Sequence, residues 1–203
     1  MPIRLIAGLG NPGRKHERDR HNAGFWFVRR LAERSRVRLD ALAKYQAIVG
    51  KLAAAAGDVW LVLPQTYMNA SGRSVGQLAR FYRIAPNEIL VVHDELDFAP
   101  GTVKLKLGGG VAGHNGLRDI QANLGAQDFW RLRIGIGHPG DRDAVADYVL
   151  HPPRPEEREL IGQAIDKGLE AMPLVFADDL TGAMHKLHTK PKPPKAAPAE
   201  SES

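Results

Sequence analysis

The sequence predicts one three-layer α/β domain, a central sheet with helices on both faces, followed by a disordered C-terminal tail. Three observations predict it. Apolar runs of strand length alternate with amphipathic runs of helical period along most of the chain. The 203 residues, 43% of them hydrophobic, suit a single core. From Thr189 the chain reads TKPKPPKAAPAESES, which is polar, proline-rich and too poor in large apolar groups to offset the entropy of ordering. The domain is therefore expected over 1–188 and the tail over 189–203.

Each element has its own signal. Residues 3–8, IRLIAG, read as a buried strand. A helix follows over 25–34, with Phe25, Val28, Leu31 and Ala32 on one face. Strands at 46–54 and 58–63 are joined at Gly57-Asp58. Val75, Leu78, Ala79 and Tyr82 define a helix over 71–83. Pro86 and Asn87 then turn the chain into a strand at 88–94. A strand at 102–107, a glycine loop at 108–113 and a helix at 115–124 come next, with Gly125 as its terminator. Residues 131–137 read as another strand. Pro155 suits a helix's first turn, where its missing N–H would have no partner anyway. A last helix is expected over 173–187.

Composition removes several kinds of chemistry. The chain has no cysteine, which excludes disulfides, a thiol nucleophile and cysteine-ligated metal. The N-terminus lacks the apolar stretch of a signal peptide, and no run is long enough to span a membrane, so a cytoplasmic protein is expected. No H-E-x-x-H occurs among the eight histidines, so no metal site is expected. Ser71 lies in NASGR and not in a nucleophile elbow. Residues 14–36 hold eight basic and three acidic side chains, which accounts for the whole formal net charge of +5. Such a cluster suits a polyanion such as RNA, or else a solvated helix face.

GLGNPG, Gly8 to Gly13, matches the dinucleotide fingerprint G-x-G-x-x-G. That turn needs a helix starting at its third glycine. Here RKHERDRHNAG follows, with no apolar stripe. Pro12 also biases Asn11 toward an extended conformation. The glycines are better read as shaping a tight loop that presents Asn11 at a strand's C-terminal end. Other strand ends display RHNAG, TYMNASG, HDELD and GHNG. Asn and Asp at such places are commonly helix caps, yet several polar loops at one sheet edge point to a site. A His–Asp pair can draw a proton from water near neutral pH, and asparagines can bind a peptide group or an oxyanion. The chemistry that remains is hydrolysis of an ester or amide.

In order and spacing, GLGNPG with RHNAG, then TYMNASG, HDELD, KLKLGGGVAGHNGLRDI and RLRIGIGHPG, the chain resembles the bacterial peptidyl-tRNA hydrolase family. The resemblance covers about 3–187. It implies a twisted mixed sheet flanked by helices, a monomer and no required cofactor. It also implies cleavage of the ester between a peptide and the 3′-terminal ribose of tRNA, which returns tRNA from stalled translation. By that resemblance His21 is the general base, Asp94 its orienting carboxylate, and Asn11 helps to distinguish blocked from free aminoacyl ends. Tyr67, Asn69 and Asn115 contact the 3′ CCA end and the peptide, with Asn69 and Asn115 also able to position water or the carbonyl. Met68 and His114 line the same cleft, while Lys106 and Arg133 clamp the 5′-phosphate at the acceptor stem. The family pattern N-P-G-x-x-Y-x-x-T-R-H-N is broken twice, by His16 for Tyr and Asp19 for Thr. His16 retains the ability to stack on a base or donate a hydrogen bond. The glycine loop reads equally as an anion-binding nest or as a lid. The alternative to an enzyme is an RNA-binding module with an idle site.

Overall fold

A computed structural model describes residues 1–189. The tail expected from 189 onward lies, beyond its first residue, outside the described residues.

Among the described residues seven strands form one mixed sheet: β1 (Leu5–Gly8), β2 (Asp40–Leu42), β3 (Ala47–Ala54), β4 (Gly57–Pro64), β5 (Ile89–Glu95), β6 (Val103–Leu107) and β7 (Trp130–Gly135). Their order is β2-β3-β4-β1-β5-β7-β6. The four central strands β4, β1, β5 and β7 run parallel, while β3 and β6 pair antiparallel to their neighbours. Among the described residues six α-helices accompany them: α1 (Ala23–Arg34), α2 (Ser71–Phe81), α3 (Asn115–Leu124), α4 (Val145–Val149), α5 (Pro155–Phe176) and α6 (Leu180–His188).

The apolar strand runs reflect burial on both faces, as parallel strands require. Ile6, Leu90, Val92 and Leu132 pack with Phe27 and Leu31 of α1 and Ile165 and Leu169 of α5. Their neighbours Leu5, Ala7, Ile89 and Val91 face the other way, onto Val75 and Leu78 of α2 and Leu117 and Ile120 of α3. This is the expected three-layer arrangement. All four parallel strands end at the same edge, so the loops after β1, β4, β5 and β7 converge there.

The first two glycines of the fingerprint serve this packing, and the third serves the turn. A Cβ on Gly8 would lie 2.3 Å from the carbonyl oxygen of Gly24 in α1, and one on Gly10 would lie 2.7 Å from the Phe25 ring. Gly13 ends the loop at φ 96° and ψ 150°, a positive-φ conformation that favours glycine. The segment after it is a 3₁₀ turn over Arg14–His16, so no helix starts where a pyrophosphate would need one.

Some boundaries differ from expectation. β2, three exposed residues on the outer edge, and the five-residue α4 were not anticipated; neither has room for a periodic pattern. The helix expected over 71–83 ends at Phe81, because Arg83 turns left-handed at φ 52°. Pro173 does not open a helix but lies inside α5. It forgoes one donor, while its neighbours Met172 and Val175 are buried in the core, so the helix runs on to Phe176. The final helix starts seven residues later than predicted, at Leu180, where the Asp179 carboxylate caps the Gly182 N–H at 2.8 Å.

Candidate active site

His21 sits in a 3₁₀ turn, Arg20–Asn22, that leads into α1. Asp94 is the penultimate residue of β5, buried at the sheet's carboxyl edge. His21 Nδ1 lies 2.9 Å from Asp94 Oδ2, and His114 Nε2 lies 2.9 Å from Asp94 Oδ1. One carboxylate thus receives two imidazoles, 5.0 Å apart between ring centres.

The two rings are not equivalent. His114 caps α3, and its Nδ1 accepts from the Leu117 N–H at 3.4 Å. Its Nε2 must therefore carry the proton donated to Asp94, and no ring nitrogen is left over. His21 donates from Nδ1 to Asp94, and its Nε2 has no hydrogen bond among the described residues. Burial opposes charge on His21, but the Asp94 carboxylate, its hydrogen bond and nearby Asp19 together raise its pKa above 6.5. Burial likewise opposes charge on Asp94, yet His21 and His114 hold its carboxyl well below the usual 3.8. Neighbouring His93 is wholly enclosed; burial, then His114, push its pKa down to about 3, so it is neutral.

A cavity of about 630 Å³ opens on this couple. Of the residues named from the sequence, His21, Asp94, His114, Asn115, Lys106 and Arg133 line it. Asn11, Tyr67, Met68, Asn69 and His16 do not. Asn11 is buried and lines a separate cavity of about 480 Å³. Its Oδ1 accepts from the Met68 N–H at 2.8 Å, and its backbone exchanges two 2.9 Å hydrogen bonds with the Asn22 side chain. It ties the β1, β4 and α1 loops together, with its Nδ2 left to donate. Met68 is buried beneath the site, whereas Tyr67 and Asn69 are exposed. His16 is drawn to Asp19 at 2.7 Å, so the two departures from the family pattern form a pair.

Strand alternation gathers the cationic side of the cavity. Lys104 lies opposite Arg133 and Lys106 opposite Arg131, so all four project from one face of β6 and β7. Arg133 donates from Nε to Glu95 at 3.1 Å and stacks over Phe98, which leaves both Nη groups for an anion. Arg131 is buried, and its two Nη groups hold the carbonyls of Gly109 and Gly110 in the glycine loop. Glu95 and Arg131 were not singled out from sequence; the alternation in KLKL and RLR was the available signal. His21, Asp94 and His114 place ligand atoms within 4.8 Å of one another, a grouping that spacing did not predict. A cation there would have to displace the protons now donated to Asp94.

A parallel-centred sheet whose carboxyl edge joins an imidazole–carboxylate couple to a cationic cleft defines an α/β protein equipped as a hydrolase with a polyanionic substrate. The family model described as peptidyl-tRNA hydrolase matches residues 5–195. Peptidyl-tRNA hydrolase of Thiobacillus denitrificans is 56% identical over 96% of this chain and 95% of its own length. That of Nitrosomonas europaea is 53% identical over 94% and 97%. The crystal structure of peptidyl-tRNA hydrolase from Acinetobacter baumannii superposes with a TM-score of 0.88 at 47% identity, covering 91% of this chain and 94% of that one. This chain belongs to the peptidyl-tRNA hydrolase family.

Proposed function

We propose that the protein hydrolyses the ester joining a peptide to the 3′-terminal ribose of peptidyl-tRNA, returning tRNA from stalled or aborted translation. The observation that carries this reading is the 2.9 Å His21–Asp94 hydrogen bond, which directs the free Nε2 of His21 toward the cavity. Nε2 takes a proton from water as the water oxygen attacks the ester carbonyl. Asp94 stabilises the imidazolium that forms. The tetrahedral intermediate then expels the ribose oxygen, which recovers the proton from His21.

The remaining groups hold substrate. Asn115, and Asn69 beyond the cavity rim, offer amides to the peptide carbonyl, the developing oxyanion or the CCA end. Asn11 Nδ2 contributes to selection of blocked aminoacyl ends, while Tyr67, Met68, His114 and His16 shape the approach. Lys106 and the Nη groups of Arg133 receive the 5′-phosphate. The protein acts as a cytoplasmic monomer, a single domain over 1–188, without a cofactor. Among the described residues no helix is long and apolar enough to cross a membrane.

The test is release of the acyl group from N-acetylated and from unblocked aminoacyl-tRNA. Release from the blocked substrate alone is expected. Binding of both with release from neither would replace this reading by that of an RNA-binding module. Equal release from both would remove the selectivity.

A further inference from the structure

The imidazole of His21 is held by one hydrogen bond, but its backbone turn is bolted on both sides. On one side is Asn22, locked to Asn11. On the other is Arg20, a buried arginine that touches neither the cavity nor its lining carboxylates. Its Nη1 donates to the carbonyls of Tyr148 (3.1 Å) and His151 (3.3 Å), and its Nη2 to Glu157 Oε2 (2.9 Å). The guanidinium lies 3.8 Å from the centre of the Tyr148 ring. Its backbone N–H also donates to the His151 carbonyl at 3.1 Å. These partners are themselves fixed. Glu157 Oε2 accepts from the Arg154 N–H at 2.9 Å, closing the first turn of α5, and the Tyr148 hydroxyl donates to the Ile136 carbonyl at 2.7 Å.

We propose that Arg20 is the positioning residue for His21: its guanidinium fork fastens the turn that carries the imidazole to the junction of α4 and α5, and so keeps Nδ1 in line with Asp94. Two features set this apart from ordinary packing. The anchored residue is the immediate neighbour of the imidazole, and a misplacement of about 1 Å at a reacting group can cost about 100-fold in rate. The anchor is also the wall of the same cavity, since Val145 and Val149 of α4 line it beside His21. One residue therefore sets the distance between the base and the opposite wall. Lysine cannot reproduce this, having no planar fork to engage two carbonyls and a carboxylate at once.

The inference rests on His21 being the base, and the experiment reads the two ideas separately. Arg20→Lys keeps the charge and removes the fork. Arg4→Lys is the matched control: Arg4 also bridges two carbonyls and a glutamate (Tyr82, Arg83 and Glu88), but at the opposite edge of the sheet. Turnover of N-acetylated aminoacyl-tRNA and the NMR titration of the His21 ring are measured for both. Asp94, Asp19 and His114 face that ring, with Arg133, His138 and Arg142 elsewhere on the cavity wall. Arg20→Lys is expected to lower kcat about tenfold or more, with KM within about twofold. The His21 titration should move to lower pH, because a misaligned ring loses the help of Asp94 while the charge at position 20 persists. Arg4→Lys should change neither. A folded Arg20→Lys protein with the parent's kcat and His21 titration would overturn the proposal. If Arg20→Lys does not fold, Glu157→Gln weakens the same anchor, and a parent-like kcat and titration there would overturn it as well. If the parent releases no acyl group, the proposed reaction fails, while the titration still reports whether Arg20 holds the ring.

Discussion

At the scale of single residues, the assignment of roles turns on which nitrogen of each histidine is occupied. His114 spends both, one on the α3 cap and one on Asp94; His21 keeps Nε2. His21→Ala is therefore expected to reduce kcat/KM by about 1,000-fold or more with tRNA affinity retained. Asp94→Asn makes a sharper test, because it leaves the shape and removes the charge. A base must be neutral to act, so kcat/KM in the parent should rise with pH through the His21 pKa, with its midpoint above 6.5. Burial alone would push that pKa down, and Asp94 is the largest of the groups that push it up. In Asp94→Asn the acid limb should move to lower pH while the plateau falls by about 100-fold to 10,000-fold. The pH profile of kcat/KM checks both, and an acid limb that stays in place would remove Asp94 as the partner of His21.

At the scale of elements, the site depends on how closely α1 approaches the sheet. Gly24, three residues beyond His21, sits where a Cβ would come within 2.2 Å of the Val92 carbonyl oxygen and 2.4 Å of the Leu9 N. Those are backbone atoms joined to each other by a 3.0 Å hydrogen bond between β5 and the segment after β1, so neither can yield cheaply. Gly24→Ala should cost about 3 kcal/mol or more in urea unfolding and should reduce turnover by lifting the His21 turn from Asp94. A cost below about 1 kcal/mol would mean that the helix has room to move. The same elements show what a sequence can and cannot disclose. The buried strands and α1, α2, α3 and α5 were legible because burial writes a period of 2, a period of 3.6 or an unbroken apolar run. β2 and α4 were not, being too short for any period, and Pro173 misled because local propensity yields to core burial. Of the site, His21, Asp94, Lys106 and Arg133 could be named from the motifs that carry the family resemblance. The second bond from His114 to Asp94, the Glu95 hold on Arg133 and the shift of Asn11 into a neighbouring cavity were not. They depend on side-chain directions that only the meeting of four loops determines.

At the scale of the whole molecule, the ionisable groups that build the site also govern how stability varies with pH. His93 is enclosed and neutral: it donates from Nδ1 to the Asp94 carbonyl at 2.7 Å, and its ring stands edge-on to His114 at 5.1 Å. In the unfolded chain it would take a proton near pH 6.5, whereas in the fold it resists protonation until about 3. The unfolded state therefore binds one more proton across that window, and stability must fall as pH drops from about 6.5 toward 3. His21 has the opposite sign. Its raised pKa gives stability that is fully present below 6.5 and is lost as pH rises through the folded value. Asp94, held low, stabilises the fold above 3.8, and that share is lost only in stronger acid, as pH falls through its folded value. The two histidine effects occupy adjoining windows, so together they favour a maximum of stability near pH 6.5. Between pH 6 and 4 His93 acts without interference from His21, and its slope should approach one proton, about 1.4 kcal/mol per pH unit. His93→Gln keeps an N–H donor for the Asp94 carbonyl and removes the titration. Urea unfolding of parent and variant at intervals from pH 7 to 4 should give curves that converge toward acid, the variant losing less by about that slope. Parallel curves would mean that His93 already carries its second proton in the fold, and a buried imidazolium would then stand beside the pair on which the proposed chemistry depends.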